Sequence, residues 1–391
     1  VTTAAPPVRP FVVGIVGGGQ LARMMYEASI GLGIRVALLA EGPDVSAAQV
    51  VHDVTVGDYT DHATLRAFAA RCDVITFDHE HVPTGILRDL EASGVAVRPG
   101  PDALVHAQDK VVMRDRLSAA GIPCPAYRVV ADADALRAFG DETGWPVIAK
   151  TSRGGYDGKG VWKIDSAEQA GEPFAALGGL SAGAEILAEE YVDFARELSA
   201  LVVRSPSGQA VAYPVSESVQ RNGICVETTT PAPGLSEEQA VAAEALALQV
   251  AAELGVVGVL AVELMERRDG TVVVNELAMR PHNTGHWTID GAHTSQFENH
   301  LRAVLDLPLG DPGTRDPWTV MANVLGGAEP DLPSTLLHCF ARDRRLRVQL
   351  YGKEVKPGRK VGHVTTYGDD LVEVRRRARH AAGYLMGDPN A

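Results

Sequence analysis

The stretch from Phe11 to Ala40 runs through an apolar segment, a glycine triplet, a helical pattern and a second apolar segment, and few folds accommodate that order. Phe11-Val12-Val13-Gly14-Ile15-Val16 has the continuous apolar character of a strand covered on both faces. Gly17-Gly18-Gly19 supplies the turn, residues 20–30 the helix closed by Gly31 and Gly33, and residues 34–40 the next strand. Strand patterns at 54–56, 74–77 and 95–97 and a helical pattern at 61–71 continue the alternation. Strands alternating with helices imply a parallel, doubly wound sheet. Pro99-Gly100-Pro101 ends this region. The chain has 391 residues, too many for one core and suited to two or three domains.

The second region, about 102–205, opens with a helical pattern at 108–120, stopped by Gly121 and Pro123. A strand at 146–150 and another at 160–164 flank a glycine-rich segment, a loop is expected within 171–184, and 186–191 returns to strand. A third region, about 198–310, carries an alanine-rich helix at 236–254 and two β-rich runs, 259–266 and 271–277. Asp269-Gly270 between those runs is a two-residue turn signal, and that turn sets Glu263 directly opposite Glu276. Like charges so placed are destabilising. Two readings are open: a solvated hairpin, or a cation held by both carboxylates with Asn275 as a neutral oxygen donor. Hard oxygen ligands without cysteine suit Mg²⁺, which usually arrives with substrate phosphates. After Pro308 the chain is rich in Pro and Gly and reads as a small, separate, mostly β unit.

The net charge of −14 argues against nucleic acid or an anionic membrane as partner, and leaves room for a small anionic substrate in a local basic pocket. Cys72, Cys124, Cys225 and Cys339 are scattered and read as reduced thiols, not as a disulfide frame or zinc site. No apolar run reaches transmembrane length, residues 1–10 read as a loose tail, and a cytoplasmic location is expected.

Four further motifs carry competing readings. Gly17-x-Gly19-x-x-Ala22, followed by Glu41 at the end of the next strand, fits the dinucleotide fingerprint, so an NAD(P)-dependent oxidoreductase is one hypothesis. Ser152 to Gly160 lies between two strands and lacks the Lys-Ser/Thr end of a P-loop. It is either a surface hairpin or a basic glycine-rich cover for a triphosphate, with Lys150 beside it. Arg280, His282, Asn283 and His286 follow the carboxylate hairpin at once, as cations facing a bound anion or as a structural loop. The basic run from Lys353 to Lys360 suits a phosphate monoester, or is a solvated loop.

Taken together, these parts resemble an ATP-grasp ligase, and specifically the N5-carboxyaminoimidazole ribonucleotide synthetase family of de novo purine synthesis. The resemblance rests on the segments 17–24, 155–160, 275–278, 280–287 and 355–363 and spans about residues 11 to 370. It implies a mixed α/β and α+β architecture. An N-terminal doubly wound domain would cover 1–107. An ATP-grasp region would cover 108–310, with a flap subdomain at about 125–195, and a small, mostly β C-terminal domain 311–391. The implied activity is ATP- and bicarbonate-dependent carboxylation of 5-aminoimidazole ribonucleotide through carboxyphosphate, with Mg²⁺ or Mn²⁺ as cofactor and a homodimer as assembly. Another ATP-grasp carboxylase or formyl ligase acting on a different amine is the alternative.

By the same resemblance, Lys110 and Lys150 would contact ATP phosphates under Gly155, Tyr156, Asp157, Gly158, Lys159, Gly160 and Val161. Glu189, Glu190, Tyr191, Val192 and Glu197 would hold adenine and ribose, with Gln220 as a further nucleotide contact. Glu263, Glu276 and Asn275 would bind the metal. Arg280, His282 and Asn283, with Tyr156 and Asp157, would form the catalytic set, Arg280 and His282 holding bicarbonate. Gln20, Leu21, Glu80, Tyr156 and Asp157 would face the aminoimidazole ribonucleotide, and Lys353, Arg359 and Lys360 its 5′-phosphate. The family often has Glu where this chain has Asp78, and Gln where it has Val161.

Overall fold

A computed structural model describes residues 9–154, 160–176 and 185–388. The first sheet has four parallel strands in the order Asp53–Val56, Arg35–Ala40, Val12–Val16, Val74–Phe77. Helices Gln20–Gly31, His62–Ala69 and Thr84–Ala92 connect and cover it. Close packing explains Gly14 in the middle of a strand: a Cβ there would lie 2.6 Å from Ile75. The strand expected at 95–97 reduces to one bridge, Val97 to Ile75, because the chain turns away at Pro99 into the next helix.

That next helix, Pro101–Gln108, starts on Pro101, so the proline-glycine-proline signal both ends one element and opens another. The single helix expected at 108–120 is two helices. Asp109 adopts extended φ/ψ, and its carboxylate accepts from the amides of Val111 and Val112, capping Lys110–Ala119.

The second sheet is four-stranded and antiparallel, in the order Tyr127–Val130, Ile186–Glu190, Val147–Thr151, Val161–Ile164. Strand Ile186–Glu190 is therefore internal, not an edge, and only the residues beyond Glu190 leave the ladder.

The third sheet has nine strands. The hairpin Gly258–Arg267 and Val272–Ala278 lies at one end, next to Phe194–Arg204. Helix Glu237–Glu253, opened by a Ser236/Gln239 capping box, packs Ala243, Ala247 and Val250 into the core beneath this sheet. The C-terminal strands are not separate: Trp318–Leu325 pairs with Ile224–Thr230, and Lys360–Gly368 and Arg347–Leu350 extend the same sheet. Helices Leu332–Arg342 and Leu371–Leu385 accompany them, so this part is α+β. No helix among the described residues is long and apolar enough to cross a membrane.

The hairpin turn differs from the expected one. Gly270 N–H donates to Arg267 O, Gly270 has φ +84°, and Arg267 N–H donates to Thr271 O. This is a three-residue loop over 268–270, and by itself it would set Asn275 opposite Glu263. The register shifts again further along: Leu264 faces Val274 while Glu263 faces Glu276. Asn275 is the extra residue of a β-bulge. The bulge undoes the slip caused by the longer turn, so the carboxylate pair is as expected although the turn is not.

Candidate active site

The three sheets converge on one cavity of about 1630 Å³. Gln20 and Leu21, at the start of the first helix, and Glu80, in the loop after Val74–Phe77, enter it at the C-terminal ends of the parallel strands, where open α/β sheets place ligands. Lys150, Val161, Glu189 and Glu190 come from the second sheet, and Tyr191 and Val192 from the segment that follows its strand Ile186–Glu190. Glu197, Gln220, Glu263, Asn275 and Glu276 come from the large sheet, and Lys110 from the first turn of its helix. Arg280, His282 and Asn283 close one side, and Lys353, Arg359 and Lys360 another. Gly160 is not part of the lining. It has φ +69° and turns the chain tightly against Thr151. Gly155, Tyr156, Asp157, Gly158 and Lys159 lie outside the described residues.

The dinucleotide hypothesis fails on the use of the turn's amides. Gly18 N–H donates to a Glu41 carboxylate oxygen, and Gly19 and Ala22 N–H donate to Asp78. The helix N-terminus that would receive a pyrophosphate already holds this chain's own carboxylate. Burial pushes the Asp78 carboxyl up, which its neighbours oppose only in part. Asp78 therefore has a packing task that its sequence position did not disclose.

The carboxylate hairpin has the electrostatics of a cation site. Burial, then Glu276, then Glu197 push the Glu263 carboxyl well above its ordinary range. His282 Nε2 lies 3.4 Å from Glu263, but burial and then Arg280 push that imidazole far down, so it stays neutral beside the carboxylate. Glu276 pairs with Lys110 at 3.1 Å. Among the described residues no three His, Cys, Asp or Glu side chains form an all-protein metal cage. Two carboxylates and an amide oxygen fit a hard divalent cation that completes its shell with phosphate and water.

Glu189 departs from the expected ribose contact. Its carboxylate is buried and shared between Arg114 Nε and Lys150 Nζ, each at 2.6 Å. Burial raises its pKa, but Lys150 and Arg114 outweigh that and hold it at about 2. Glu190 pairs with Arg267 at 2.6 Å.

Arg280 lies against Glu80, Nε to Oε2 at 2.8 Å, while Glu80 Oε1 is buried without a hydrogen-bond partner. Asn283 Nδ2 is in the same condition. Both residues border the cavity, so both leave hydrogen-bonding capacity for a ligand. The loop carrying them is anchored by Trp287, which is buried edge-on against Tyr213. Gln296 bonds both the amide and the carbonyl of His282, at 2.8 and 2.7 Å. His286 is not beside the others: it is fully buried, stacked between Phe297 and His363. Lys353 donates to Gln20, joining the basic loop to the glycine turn.

Sequence reasoning missed Arg114, Gln296 and the part played by Asp78. For Arg114 the one local hint was its place one turn after Lys110, and nothing in the sequence marked Gln296.

Comparison with known proteins agrees with this arrangement. A ribonucleotide synthetase preATP-grasp domain matches residues 11–108, and an ATP-grasp domain residues 115–297. A phosphoribosylaminoimidazole carboxylase C-terminal domain matches residues 319–377. The chain is 54% identical over 390 residues to the N5-carboxyaminoimidazole ribonucleotide synthase of Mycobacterium tuberculosis, covering 98% of this chain and 90% of that one. The carboxyaminoimidazole ribonucleotide synthase of Aspergillus clavatus complexed with ATP superposes with a TM-score of 0.88 at 32% identity, over 96% of this chain and 98% of that one. The Aspergillus clavatus enzyme in complex with ADP and 5-aminoimidazole ribonucleotide gives 0.87 at 31% identity, over the same shares.

Proposed function

The chain belongs to the N5-carboxyaminoimidazole ribonucleotide synthase family of ATP-grasp ligases, and from that premise we propose that it joins bicarbonate to the exocyclic amine of 5-aminoimidazole ribonucleotide at the expense of ATP. One observation carries the reading. A carboxylate pair and the Arg280–Glu80 pair border the same cavity as the basic loop at 353–360, which supports adjacent sites for nucleotide, bicarbonate and a phosphorylated amine.

In the first step a bicarbonate oxygen attacks the γ-phosphorus and the bond to ADP breaks, giving carboxyphosphate and ADP. In the second, the amine nitrogen attacks the carboxyl carbon, phosphate leaves and one proton is released. Catalysis of the first step is positioning and charge neutralisation. Lys110 and Lys150 serve the phosphates. Glu190, Tyr191 and Val192, at the end of the internal strand, meet the adenine, and Glu197 the ribose. Arg280 and His282 hold bicarbonate. Gln20 and Glu80 face the aminoimidazole ribonucleotide, and Lys353, Arg359 and Lys360 its 5′-phosphate. Glu263, Asn275 and Glu276 would hold Mg²⁺, which when bound withdraws charge from the ATP phosphates.

The raised pKa of Glu263 makes the metal requirement depend on pH. A proton on Glu263 competes with Mg²⁺, so the Mg²⁺ concentration for half-maximal turnover is expected to fall as pH rises from about 6 to about 8. Stability without the metal runs the opposite way. A carboxyl raised in the folded state favours folding at low pH and loses that contribution as pH rises through its folded pKa. Mg²⁺ with ADP should therefore raise the melting temperature more at the higher pH. A pH-independent Mg²⁺ requirement would contradict the assignment.

The function itself is tested by following ADP and phosphate release with ATP, Mg²⁺ and bicarbonate. Release stimulated by 5-aminoimidazole ribonucleotide and not by glycinamide ribonucleotide is the expected result. The reverse preference would move the chain to another amine.

A further inference from the structure

Four residues from four separate elements form a closed ring at the floor of the cavity. Arg114 Nε donates to Glu189 Oε1 at 2.6 Å, and Glu189 Oε2 meets Lys150 Nζ at 2.6 Å. Lys150 Nζ donates to Asn275 Oδ1 at 3.1 Å. Arg114 Nη2 closes the ring on the backbone carbonyl of Asn275 at 2.7 Å. These contacts join the helix Lys110–Ala119, two paired strands of the second sheet and the bulged strand of the large sheet.

Of the four, Arg114 has no assigned task and does not border the cavity. It is among the largest fully buried side chains of the protein. Burying a guanidinium is costly unless its partners repay it, so a replaceable packing residue would not be an arginine here. Two things follow from where its donors go.

The first concerns the bulge. A β-bulge leaves a residue without a cross-strand partner, and Asn275 has none on the facing strand. Its carbonyl is satisfied instead by Arg114. The bulge is what returns Glu276 to its place opposite Glu263, so the guanidinium that satisfies the bulge also fixes the aim of the carboxylate next to it.

The second concerns charge. Lys150 and Glu189 alone would cancel, leaving no net charge to meet a phosphate. With Arg114 present the ring carries one net positive charge, and Lys150 is the member that both carries charge and borders the cavity with an ammonium. The guanidinium is a planar fork, able to serve a carboxylate and a carbonyl at once, which a lysine ammonium at the end of a flexible stem does not reproduce.

We propose that Arg114 is a positioning residue for nucleotide binding: it holds the Asn275 bulge, and thereby the metal-facing Glu276, while neutralising Glu189 so that Lys150 presents its charge to the ATP phosphates. The proposal deepens the ATP-dependent reading above and rests on it for the identity of the ligand.

The test is Arg114→Lys, which keeps the charge and loses the fork. Affinity for Mg·ADP is measured by calorimetry, and KM values for ATP, bicarbonate and the amine by steady-state turnover. Expected are a roughly tenfold weaker Mg·ADP affinity and a similar rise in the KM for ATP, with the KM for the amine within about twofold. A purely structural residue would lower the melting temperature and leave that split absent, so unchanged Mg·ADP affinity and unchanged KM for ATP overturn the proposal. If Arg114→Lys does not fold, the charge-balanced double variant Arg114→Met with Glu189→Gln takes its place. It leaves the Asn275 carbonyl unheld, so the same nucleotide-specific loss is expected, and normal Mg·ADP affinity overturns the proposal. Mg·ADP binding does not depend on which amine is carboxylated, so a wild-type protein inactive on 5-aminoimidazole ribonucleotide would count against the functional reading and not against this one.

Discussion

Arg280→Ala is expected to lower bicarbonate-dependent turnover by about 10²–10³ while Mg·ADP binds with nearly wild-type affinity, the size of effect seen when one charge-stabilising donor is removed from an active site. The guanidinium is held by Glu80 at 2.8 Å and by the carbonyl of Pro281 at 3.2 Å, so its orientation is set before any substrate arrives. Burial opposes its charge, but Glu80, with Asp78 and Glu263 behind it, outweighs burial and keeps the group cationic. Its removal leaves Glu80 buried without its cation, so some loss of stability will accompany the loss of activity. Arg280→Ala combined with Glu80→Gln separates the two. The double variant should recover thermal stability without recovering turnover. Turnover restored together with stability would show that Arg280 serves the fold and not the bicarbonate.

The second large effect is expected at the metal clamp. Glu276→Gln should reduce Mg²⁺-dependent turnover by at least about 10²-fold and weaken Mg·ADP binding, because it removes one of the two carboxylates proposed to hold the cation. The side chain is nearly half exposed, so the fold should tolerate the change. Melting temperature serves as the control. A variant that melts like wild type and keeps an unchanged Mg²⁺ requirement would remove Glu276 from the metal site. Glu263→Gln is the less clean experiment, since relieving a strained buried carboxylate can stabilise the protein while removing its function.

The parts of the site that were legible in the sequence share a physical property: their signals are local. Strand, glycine turn and helix follow one another within residues 11–40, and periodicity reports them directly. The two β-rich runs around Asp269-Gly270 announce a hairpin in the same way. The motifs around Asn275, Arg280 and Arg359 are contiguous, and so the family was readable from them. Where local signals are ambiguous, structure and expectation part. The helix expected at 108–120 is split because Asp109 caps a new helix while its other oxygen meets Arg153. The strand expected at 95–97 lacks a ladder, and His286, four residues from His282, points into the core. The part after Pro308 looked separate because sequence does not report that Trp318–Leu325 pairs with a strand some ninety residues earlier.

By itself the sequence determined that this chain begins with a parallel α/β unit, carries a carboxylate hairpin and belongs among ATP-grasp ribonucleotide synthases. Only the tertiary structure decided how the carboxylates come to face each other. A three-residue turn shifts the register and a bulge at Asn275 shifts it back, two irregularities that cancel at Glu263 and Glu276. Only the structure showed that Asp78 closes the glycine turn to a dinucleotide and that Arg114 holds the bulge. Those contacts join residues 59 and 161 positions apart. Pattern and propensity extend over a few residues, whereas a buried charge is stabilised by whatever the folded chain brings beside it.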